Sequence, residues 1–307
     1  MSLTTLALGY LHPWPNDAGV LLAAQQGWYA EAGLDVDVRV ADPLRGDAAE
    51  ALVRGEADLA VVPTNRLLVR VEAGQPLVGV AALNHRPLET LLTVRASGVE
   101  RPGQLAGRRV GCNPTARGVA MVRHVVAADG GDPDAVIFVD TGVRELSADD
   151  VAAGEVDATF GAYWAWDTLA ATLPATEQRV WPVDQIGAPT FPPYLLAART
   201  DTVADQPALL AAALAATERG YQAAARTPAL ALAACEAVIP FFPRARLARS
   251  LALVTPTWFR EGRWGRLRDA DLAGYAGWLA AVGILADPGV WRRAVLPDAV
   301  AVAGPRG

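Results

Sequence analysis

The chain has 307 residues, and all 27 of its basic residues are arginine, so lysine is absent. This composition excludes a Schiff-base lysine, a lysine general base and the lysine of a phosphate-binding loop, and with them aldolase-like, pyridoxal-phosphate and P-loop chemistry. The 33 acidic residues give a net charge of −6, which disfavours nucleic acid or an anionic membrane as a partner. The length permits one large domain or two lobes.

Neither cysteine has a spacing that indicates chemistry. Cys112 and Cys235 match no metal-binding or redox motif, so each is expected to be a buried thiol. No stretch reaches the ~18 consecutive apolar residues of a membrane-spanning helix. The sequence passes from Met1 directly into a predicted strand, so we expect no leader peptide in it. A cytoplasmic protein and an exported protein in trimmed form both stay open.

Strand and helix patterns alternate, which predicts α/β architecture with crossover connections. Asn16 or Asp17 is placed to cap the first helix, and Gly33 to end its segment in a left-handed conformation. In the first lobe, strands are predicted at 6–10, 34–40, 57–62, 78–83 and 90–95, and helices after 17, over 47–54 and over 66–72.

A second α/β pattern follows, and a helical region begins near residue 206. Strands are predicted near 108–111 and at 136–140, 158–162 and 194–198, with a helix over 119–129 and a connector over 181–193. We therefore predict two lobes with mixed sheets, 1–97 plus 193–307 and 98–192, with crossings near 96–104 and 184–194 and a helical C-terminal tail. Such a clamp is expected to bind its ligand in the cleft, beyond the carboxyl ends of strands.

Four motifs occur in order along the chain. They read GWYAEAGLDV at 27–36, GEADLA at 55–60, LAGRRVG at 105–111 and GEVDA at 154–158. These motifs resemble, in order and spacing, those of the substrate-binding proteins of ABC importers. They are most similar to the branch that includes binders of thiamine-pyrimidine precursors, alkanesulfonates and nitrate. The resemblance covers nearly the whole chain and implies a periplasmic-binding-protein-like fold of type II.

The run GAYWAWD at 161–167 is similar to a segment of pyrimidine-precursor binders in which aromatic residues and a carboxylate meet the ligand ring. The resemblance implies ligand contacts by Tyr163, Trp164, Trp166 and Asp167, where the family has glutamate in place of the aspartate. An aromatic face can stack on a flat ring, and a carboxylate can accept from an amino group. The alternative is a buried strand end and its turn.

The loop after the first strand departs from the family pattern. This loop reads YLHPW from Tyr10 to Trp14, and its tryptophan follows the proline instead of preceding it. Trp14 is expected to supply a stacking wall and His12 to donate to an anionic ligand. The alternative for His12 is a solvent-facing position.

The remaining candidates lie where strands end or helices begin. The segment from Asn113 to Gly118 precedes a helix, so its amides and Arg117 suit a phosphate, sulfonate or carboxylate. The alternative is an ordinary turn with the guanidinium in water. The ligand contacts predicted in addition to those above are Tyr10, Thr64, Asn65, Asn84, Thr115, Arg117, Gly118 and Tyr194. Arg66 and Arg86 are further arginines expected near the cleft.

Two kinds of enzyme are alternatives to a receptor. A yeast-type enzyme related to this branch builds the thiamine pyrimidine from its own histidine at a cysteine-rich iron site. The matching position here falls near Arg66, and the segment 187–193 directly before Tyr194 contains no cysteine, so this enzyme is disfavoured. A lyase similar to chorismate dehydratase stays open as a cytoplasmic alternative, because such an enzyme needs little beyond an acid or base and an enclosing cleft. His85 and His124 are expected to be a loop residue and a helix-surface residue.

The sequence therefore predicts a non-enzymatic receptor that closes on a small, flat or aromatic heterocycle such as a thiamine-pyrimidine precursor. A sulfonate, nitrate or small carboxylate is the alternative ligand. We expect ABC permease subunits as partners, a monomer, no cofactor, no metal and no nucleic acid. An extracytoplasmic location is expected if a leader was trimmed, and a cytoplasmic one if Met1 is the native start. The tryptophans of the C-terminal tail are expected to pack against the first lobe.

Overall fold

A computed structural model describes residues 3–142 and 144–296. Its contacts divide the chain into two compact units. Unit 1 comprises Met1–His85 and Phe191–Gly307, and unit 2 comprises Arg86–Thr190. The chain therefore leaves unit 1 once and returns to it once. Met1 lies outside the described residues, and the prediction about a leader peptide depends on this residue.

Unit 1 contains a five-stranded mixed sheet in the order β2-β1-β3-β10-β4. Its strands are β1 (Leu3–Leu8), β2 (Asp35–Val40), β3 (Leu59–Pro63), β4 (Leu77–Ala82) and β10 (Tyr194–Arg199). The strands β2 and β3 both run parallel to β1, while β10 runs antiparallel to β3 and β4. The side chains of β2 alternate between exposed and half-buried, as expected for an edge strand with one solvated face.

The other edge of this sheet is covered. All six residues of β4 are buried. Isolated bridges join Gly79 to Val295 and Ala82 to Gly265, so C-terminal residues lie along the free edge of β4. Covering an edge in this way removes a row of unpaired backbone groups from solvent.

Helices account for most of the remaining chain of unit 1. They are α1 (Ala18–Gln25), α2 (Trp28–Glu31), α3 (Ala48–Val53), α4 (Thr64–Glu72), α7 (Thr200–Asp205), α8 (Pro207–Arg226), α9 (Pro228–Val238), α10 (Arg244–Val254), α11 (Asp269–Ala281) and α12 (Trp291–Ala294). The first helix begins after Asp17, but no side chain caps it, so the capping roles predicted for Asn16 and Asp17 were wrong. Gly33 does take a left-handed conformation, with φ of 82°.

Glycines permit the close approach of α1 and α8. A Cβ added to Gly220 would lie 2.0 Å from the carbonyl oxygen of Gly19. A Cβ added to Gly19 would lie 2.3 Å from the ring of Tyr221. The two helices can therefore touch only because both positions lack a side chain.

The tryptophans of the C-terminal tail are buried, as the sequence predicted. Trp258, Trp264, Trp278 and Trp291 are each at most 9% exposed. Trp264 stacks on Tyr221 of α8 with ring centroids 5.1 Å apart. A short hairpin of β11 (Phe259–Arg260) and β12 (Arg263–Trp264) carries one of these tryptophans into the core of unit 1.

Unit 2 repeats the arrangement on a second five-stranded mixed sheet, in the order β7-β6-β8-β5-β9. Its elements are β5 (Glu89–Val94), β6 (Arg109–Cys112), α5 (Ala116–Ala128), β7 (Ile137–Asp140), α6 (Ala148–Ala152), β8 (Ala158–Tyr163) and β9 (Gln178–Pro182). The strand β6 runs parallel to β7 and β8, and β5 runs antiparallel to β8 and β9. Leu92, Val94, Leu146, Val151 and Val156 pack together in its core.

Two expectations about these strands were wrong. The strand predicted at 90–95 was assigned to the first lobe, but β5 pairs with β8 and β9 in unit 2. The first change of unit therefore falls after His85, earlier than the predicted boundary at residue 97. The predicted connector at 181–193 begins inside β9, because an edge strand tolerates Pro182 at its end.

Among the described residues, no helix combines the length and the apolar character needed to cross a membrane. The same residues contain no group of three or more His, Cys, Asp or Glu side chains arranged to hold a metal ion.

We predict opposite effects for two helical glycine substitutions. Gly220→Ala should lower the free energy of unfolding by about 2 kcal/mol or more, because the new methyl group overlaps the backbone of α1. Gly277→Ala in α11 should raise it by about 1 kcal/mol, since open space surrounds that position and alanine favours helix. Urea denaturation measures both. Equal effects of the two substitutions would contradict the close helix contact.

Candidate functional site

The loop after β1 carries a row of aromatic rings. The rings of Tyr10 and His12 meet edge to face with centroids 5.1 Å apart, and Tyr10 lies 6.0 Å from Trp14. Trp14 is buried, whereas Tyr10 and His12 are half-buried. The Nδ1 atom of His12 lies 2.7 Å from the carbonyl oxygen of Pro13. The row therefore runs from the core of unit 1 toward its surface.

Two phenylalanines that the sequence analysis did not single out extend this row. The ring of Phe242 lies 4.9 Å from that of His12, and Phe241 lies 6.3 Å from it. Phe241 is 67% exposed, as is the neighbouring loop residue Leu11. The signal in the sequence was an aromatic pair between two prolines in a loop, Pro240-Phe241-Phe242-Pro243.

A buried amide pair fixes the other end of this loop. Asn16 and Asn84 exchange hydrogen bonds of 3.0 and 2.7 Å through their side chains. The Nδ2 group of Asn84 also donates to the hydroxyl of Thr257 at 2.7 Å, and the indole N–H of Trp258 donates to Asn16 at 3.0 Å. The predicted contact Asn84 is fully buried, so its polar atoms are engaged inside unit 1.

The other unit 1 candidates surround the carboxyl end of β3. The hydroxyl of Thr64 donates to the carbonyl oxygen of Pro192, and its backbone N–H donates to Pro193 at 3.1 Å. Tyr194 is buried and pairs with Pro63 in the sheet. Asn65, the second residue of α4, is half-buried. The arginine expected near this edge, Arg66, is exposed and pairs with Asp47 at 2.8 Å.

In unit 2, the candidate aromatic turn follows a bulge in β8. The pairing of β5 with β8 shifts register between Glu89 and Leu91, and Gly161 has φ of 118°, a conformation that favours glycine. Tyr163 is then held at the end of the strand, where its backbone N–H donates to Asp167 at 3.1 Å. The predicted carboxylate therefore closes this turn.

The two tryptophans of the turn differ in their surroundings. Trp166 is buried, so it belongs to the packed base of the turn. Trp164 is half-buried, and its indole N–H donates to the carbonyl oxygen of Pro87 at 3.0 Å. The guanidinium of Arg86 lies 4.7 Å from the Trp164 ring centre and makes two hydrogen bonds of 2.9 Å to Asp184. This cation–π contact and the ion pair fix the position of the ring.

The start of α5 carries the last group of candidates. Thr115 caps the helix by accepting from the backbone N–H of Gly118 at 3.1 Å. Arg117 forms a two-pronged ion pair with Glu89 of β5, with 2.6 Å between Nη2 and Oε2. The guanidinium that the sequence offered to an anion or to water is thus engaged by a carboxylate of unit 2. Glu89 was missed because nothing in the sequence links it to a helix 28 residues later.

Two buried groups near these loops have shifted pKa values. Burial raises the pKa of Asp17 to about 7, although the hydrogen bond from the Trp14 backbone opposes this shift. Burial lowers the pKa of His85 to about 4, and the positive charges of Arg260, Arg268 and Arg266 add to that effect. His85 lies in the loop between β4 and β5, as the sequence predicted, and it is buried there.

The sequence profile of the NMT1/THI5-like family matches residues 14–231, more than half of the chain. The chain belongs to this family. The matched segment begins in the aromatic loop of unit 1, includes the Tyr163–Asp167 turn of unit 2 and ends in α9. The resemblance to the branch of binding proteins that includes binders of thiamine-pyrimidine precursors, alkanesulfonates and nitrate is thereby confirmed at the level of the family.

Two curated relatives share this similarity. A formylaminopyrimidine-binding protein of Halalkalibacterium halodurans is 27% identical over 222 residues, which cover 71% of this chain and 66% of the relative. A putative thiamine biosynthesis protein of Haemophilus influenzae is 26% identical over 193 residues, which cover 62% of this chain and 60% of the relative. The match thus spans 60% of one relative's own length and 66% of the other's, less than two thirds of either.

Solved structures support the type II periplasmic-binding-protein fold. The alkanesulfonate-binding protein SsuA of Xanthomonas axonopodis pv. citri, bound to MOPS, superimposes with a TM-score of 0.72 and 17% identity, covering 96% of this chain and 98% of that one. The desulfurization enzyme DSZB superimposes with a TM-score of 0.66 and 16% identity, covering 98% of each chain. At such identities these two structures establish the fold and not the ligand.

We predict that Asp17→Asn removes a pH dependence of stability. An aspartate in the unfolded chain titrates near pH ~4, while folded Asp17 titrates near 7. Between pH ~4 and ~7 the Asp17 carboxyl is protonated in the folded protein but not in the unfolded chain. The free energy of unfolding therefore falls as pH rises from about 4 to about 7. Asparagine keeps an oxygen for the Trp14 N–H and should stabilise the protein above pH 7 by on the order of 2–4 kcal/mol.

Urea denaturation of both proteins from pH 4 to 9 measures the effect. His85 contributes an opposite slope, because the unfolded chain takes up a proton at this histidine as pH falls from about 6.5 toward 4, while the folded protein keeps it neutral. Both proteins contain His85, so their difference isolates Asp17. Parallel curves for the two proteins would contradict a buried protonated carboxyl.

Proposed function

We propose that this protein is the substrate-binding receptor of an ABC importer and that its ligand is a small, flat heterocycle of the thiamine-pyrimidine precursor class. The observation that carries the proposal is membership of the NMT1/THI5-like family, together with the similarity to a protein named as a formylaminopyrimidine binder. The proposal extends that relative's ligand class to this chain.

The turn at the end of β8 supports this ligand class. Tyr163 and Trp164 are half-buried residues of this turn, and Arg86 already covers one face of the Trp164 ring. An aromatic heterocycle gains both burial and stacking against an aromatic ring face. Asp167 is a hydrogen-bond acceptor in the same turn. An aminopyrimidine presents ring faces and N–H donors, which match this combination.

The aromatic loop of unit 1 supports the same class. Tyr10 and His12 are half-buried and held by ring contacts on both sides, so little side-chain freedom is lost when they contact a ligand. We propose Tyr10 and His12 as the contacts in this loop, with Trp14 as the buried ring that supports them. Thr64 and Asn84 then support the surrounding loops through their hydrogen bonds to Pro192, Asn16 and Thr257.

The proposed partners are the permease subunits of the importer, and the proposed location is extracytoplasmic. Both follow from the family and from the neighbours of this fold, which are mostly binding proteins. A receptor of this kind binds its ligand and returns it unchanged, so the absence of lysine removes nothing it needs.

An enzyme on the same fold is the second candidate, and the similarity to DSZB favours it. The cysteines of this chain argue against thiol chemistry. Burial raises the pKa of Cys112 to about 11, with the charge of Asp140 adding to the effect, and raises the pKa of Cys235 to about 12. Both thiols therefore stay protonated near neutral pH, and a protonated thiol is a poor nucleophile.

Calorimetry and thermal shift with a formylaminopyrimidine, taurine, MOPS and nitrate test the proposal. We expect saturable binding of the formylaminopyrimidine with a raised melting temperature, because a ligand that binds only the folded state stabilises it. Binding of taurine, MOPS or nitrate without binding of the heterocycle would refute the ligand class. Mass spectrometry of the recovered ligand separates the candidates, since an enzyme would alter it.

Tyr163→Ala should weaken heterocycle binding by about 2- to 10-fold, which corresponds to the ~0.5–1.5 kcal/mol of one aromatic stack. Phe138→Ala is the matched control, because Phe138 is a half-buried aromatic residue of unit 2 that lies on the edge strand β7. The same calorimetric titration measures both variants. An equal loss in both would indicate a general structural effect, and no loss in Tyr163→Ala would remove this residue from the site.

A further inference from the structure

The ion pair between Arg117 and Glu89 is the best-enclosed one around the candidate residues of unit 2. The Nη1 and Nη2 groups of Arg117 each donate to one carboxylate oxygen of Glu89, the geometry in which arginine binds carboxylates most specifically. The side chains are only 12% and 19% exposed. Solvent therefore screens this pair less than the exposed ion pairs elsewhere in the protein.

Each partner comes from an element that also carries a candidate ligand residue. Glu89 is the first residue of β5 and pairs with Tyr163 across the sheet. Arg117 is the second residue of α5, a helix of 13 residues whose start is capped by Thr115. The pair thus joins the helix start that suits an anion to the strand beside the aromatic turn.

A carboxylate of unit 2 already balances the positive charge at the start of α5. The positive end of α5 and the guanidinium of Arg117 together favour a negative group. Glu89 supplies that negative group from within unit 2, and Asp167 places a second carboxylate against the backbone of Tyr163. An anionic ligand would have to displace Glu89 and lie near two carboxylates, whereas a neutral or cationic ligand leaves the pair intact.

We propose that Glu89 is a specificity-determining residue, which neutralises Arg117 and thereby selects neutral or cationic ligands over organic anions. The inference rests on the proposed function in that a small ligand binds beside the Tyr163–Asp167 turn. It goes further by naming the residue that excludes organic anions from this protein, although a sulfonate-binding protein shares its fold.

Glu89→Gln tests the proposal, because glutamine keeps the size of the side chain but removes its charge. We expect this variant to bind MOPS and taurine at least tenfold more tightly than the wild-type protein, measured by calorimetry at low ionic strength. The double variant Glu89→Gln with Arg117→Gln should lose this gain, since the positive charge of Arg117, no longer balanced by Glu89, is its cause. Glu100→Gln is the control, because it removes the exposed partner of Arg179 in the same unit and should gain no anion affinity.

A folded Glu89→Gln variant with no gain in anion affinity would overturn the proposal. If that variant does not fold, Glu89→Asp and the wild-type protein provide the test. Glu89→Asp, with its shorter carboxylate, should give a smaller gain in anion affinity than Glu89→Gln. If the wild-type protein binds MOPS and Arg117→Gln abolishes that binding, the idea that Glu89 blocks the guanidinium is overturned. The gain in anion affinity is measured without any heterocycle, so it can succeed or fail independently of the proposed pyrimidine ligand.

Discussion

The reciprocal amide pair of Asn16 and Asn84 holds together the parts of unit 1 that matter for binding. Amides buried without partners would cost ~1–3 kcal/mol each, so their hydrogen bonds to each other, to Thr257 and to Trp258 are a condition for burying them. The pair connects the loop after β1 to the end of β4 and to the C-terminal segment. The aromatic row from Trp14 to Phe241 keeps its place because this network fixes its base.

Arginine supplies the permanent positive charge in the candidate regions, because the chain has no lysine. Because a guanidinium stays protonated in proteins, each arginine near a candidate residue needs a permanent anionic partner. Arg66, Arg86 and Arg117 have such partners in Asp47, Asp184 and Glu89. Recognition by ring faces and neutral hydrogen bonds is consistent with a protein whose nearby cations are engaged in this way.

Much of the fold was predictable from the sequence, because period-2 and helical patterns, turn glycines and the family motifs are local signals. The sequence could not predict to which sheet β5 belongs. An apolar strand fits either sheet, and the strands that pair with β5, β8 and β9, lie far along the chain. The residues of the candidate site were likewise predictable only in part. Aromatic residues such as Tyr163 were visible as motifs, whereas the contacts of Asn16, Glu89 and Phe241 depend on long-range packing.

The position of β10 determines the order in which this protein can assemble. This strand lies between β3 and β4, yet the ribosome makes it only after the whole of unit 2. Until then the inner edges of β3 and β4 lack their partner, while every strand of the second sheet has already been synthesised. Unit 2 can therefore fold during translation, and the nascent first unit must be kept from pairing wrongly until its last strand arrives.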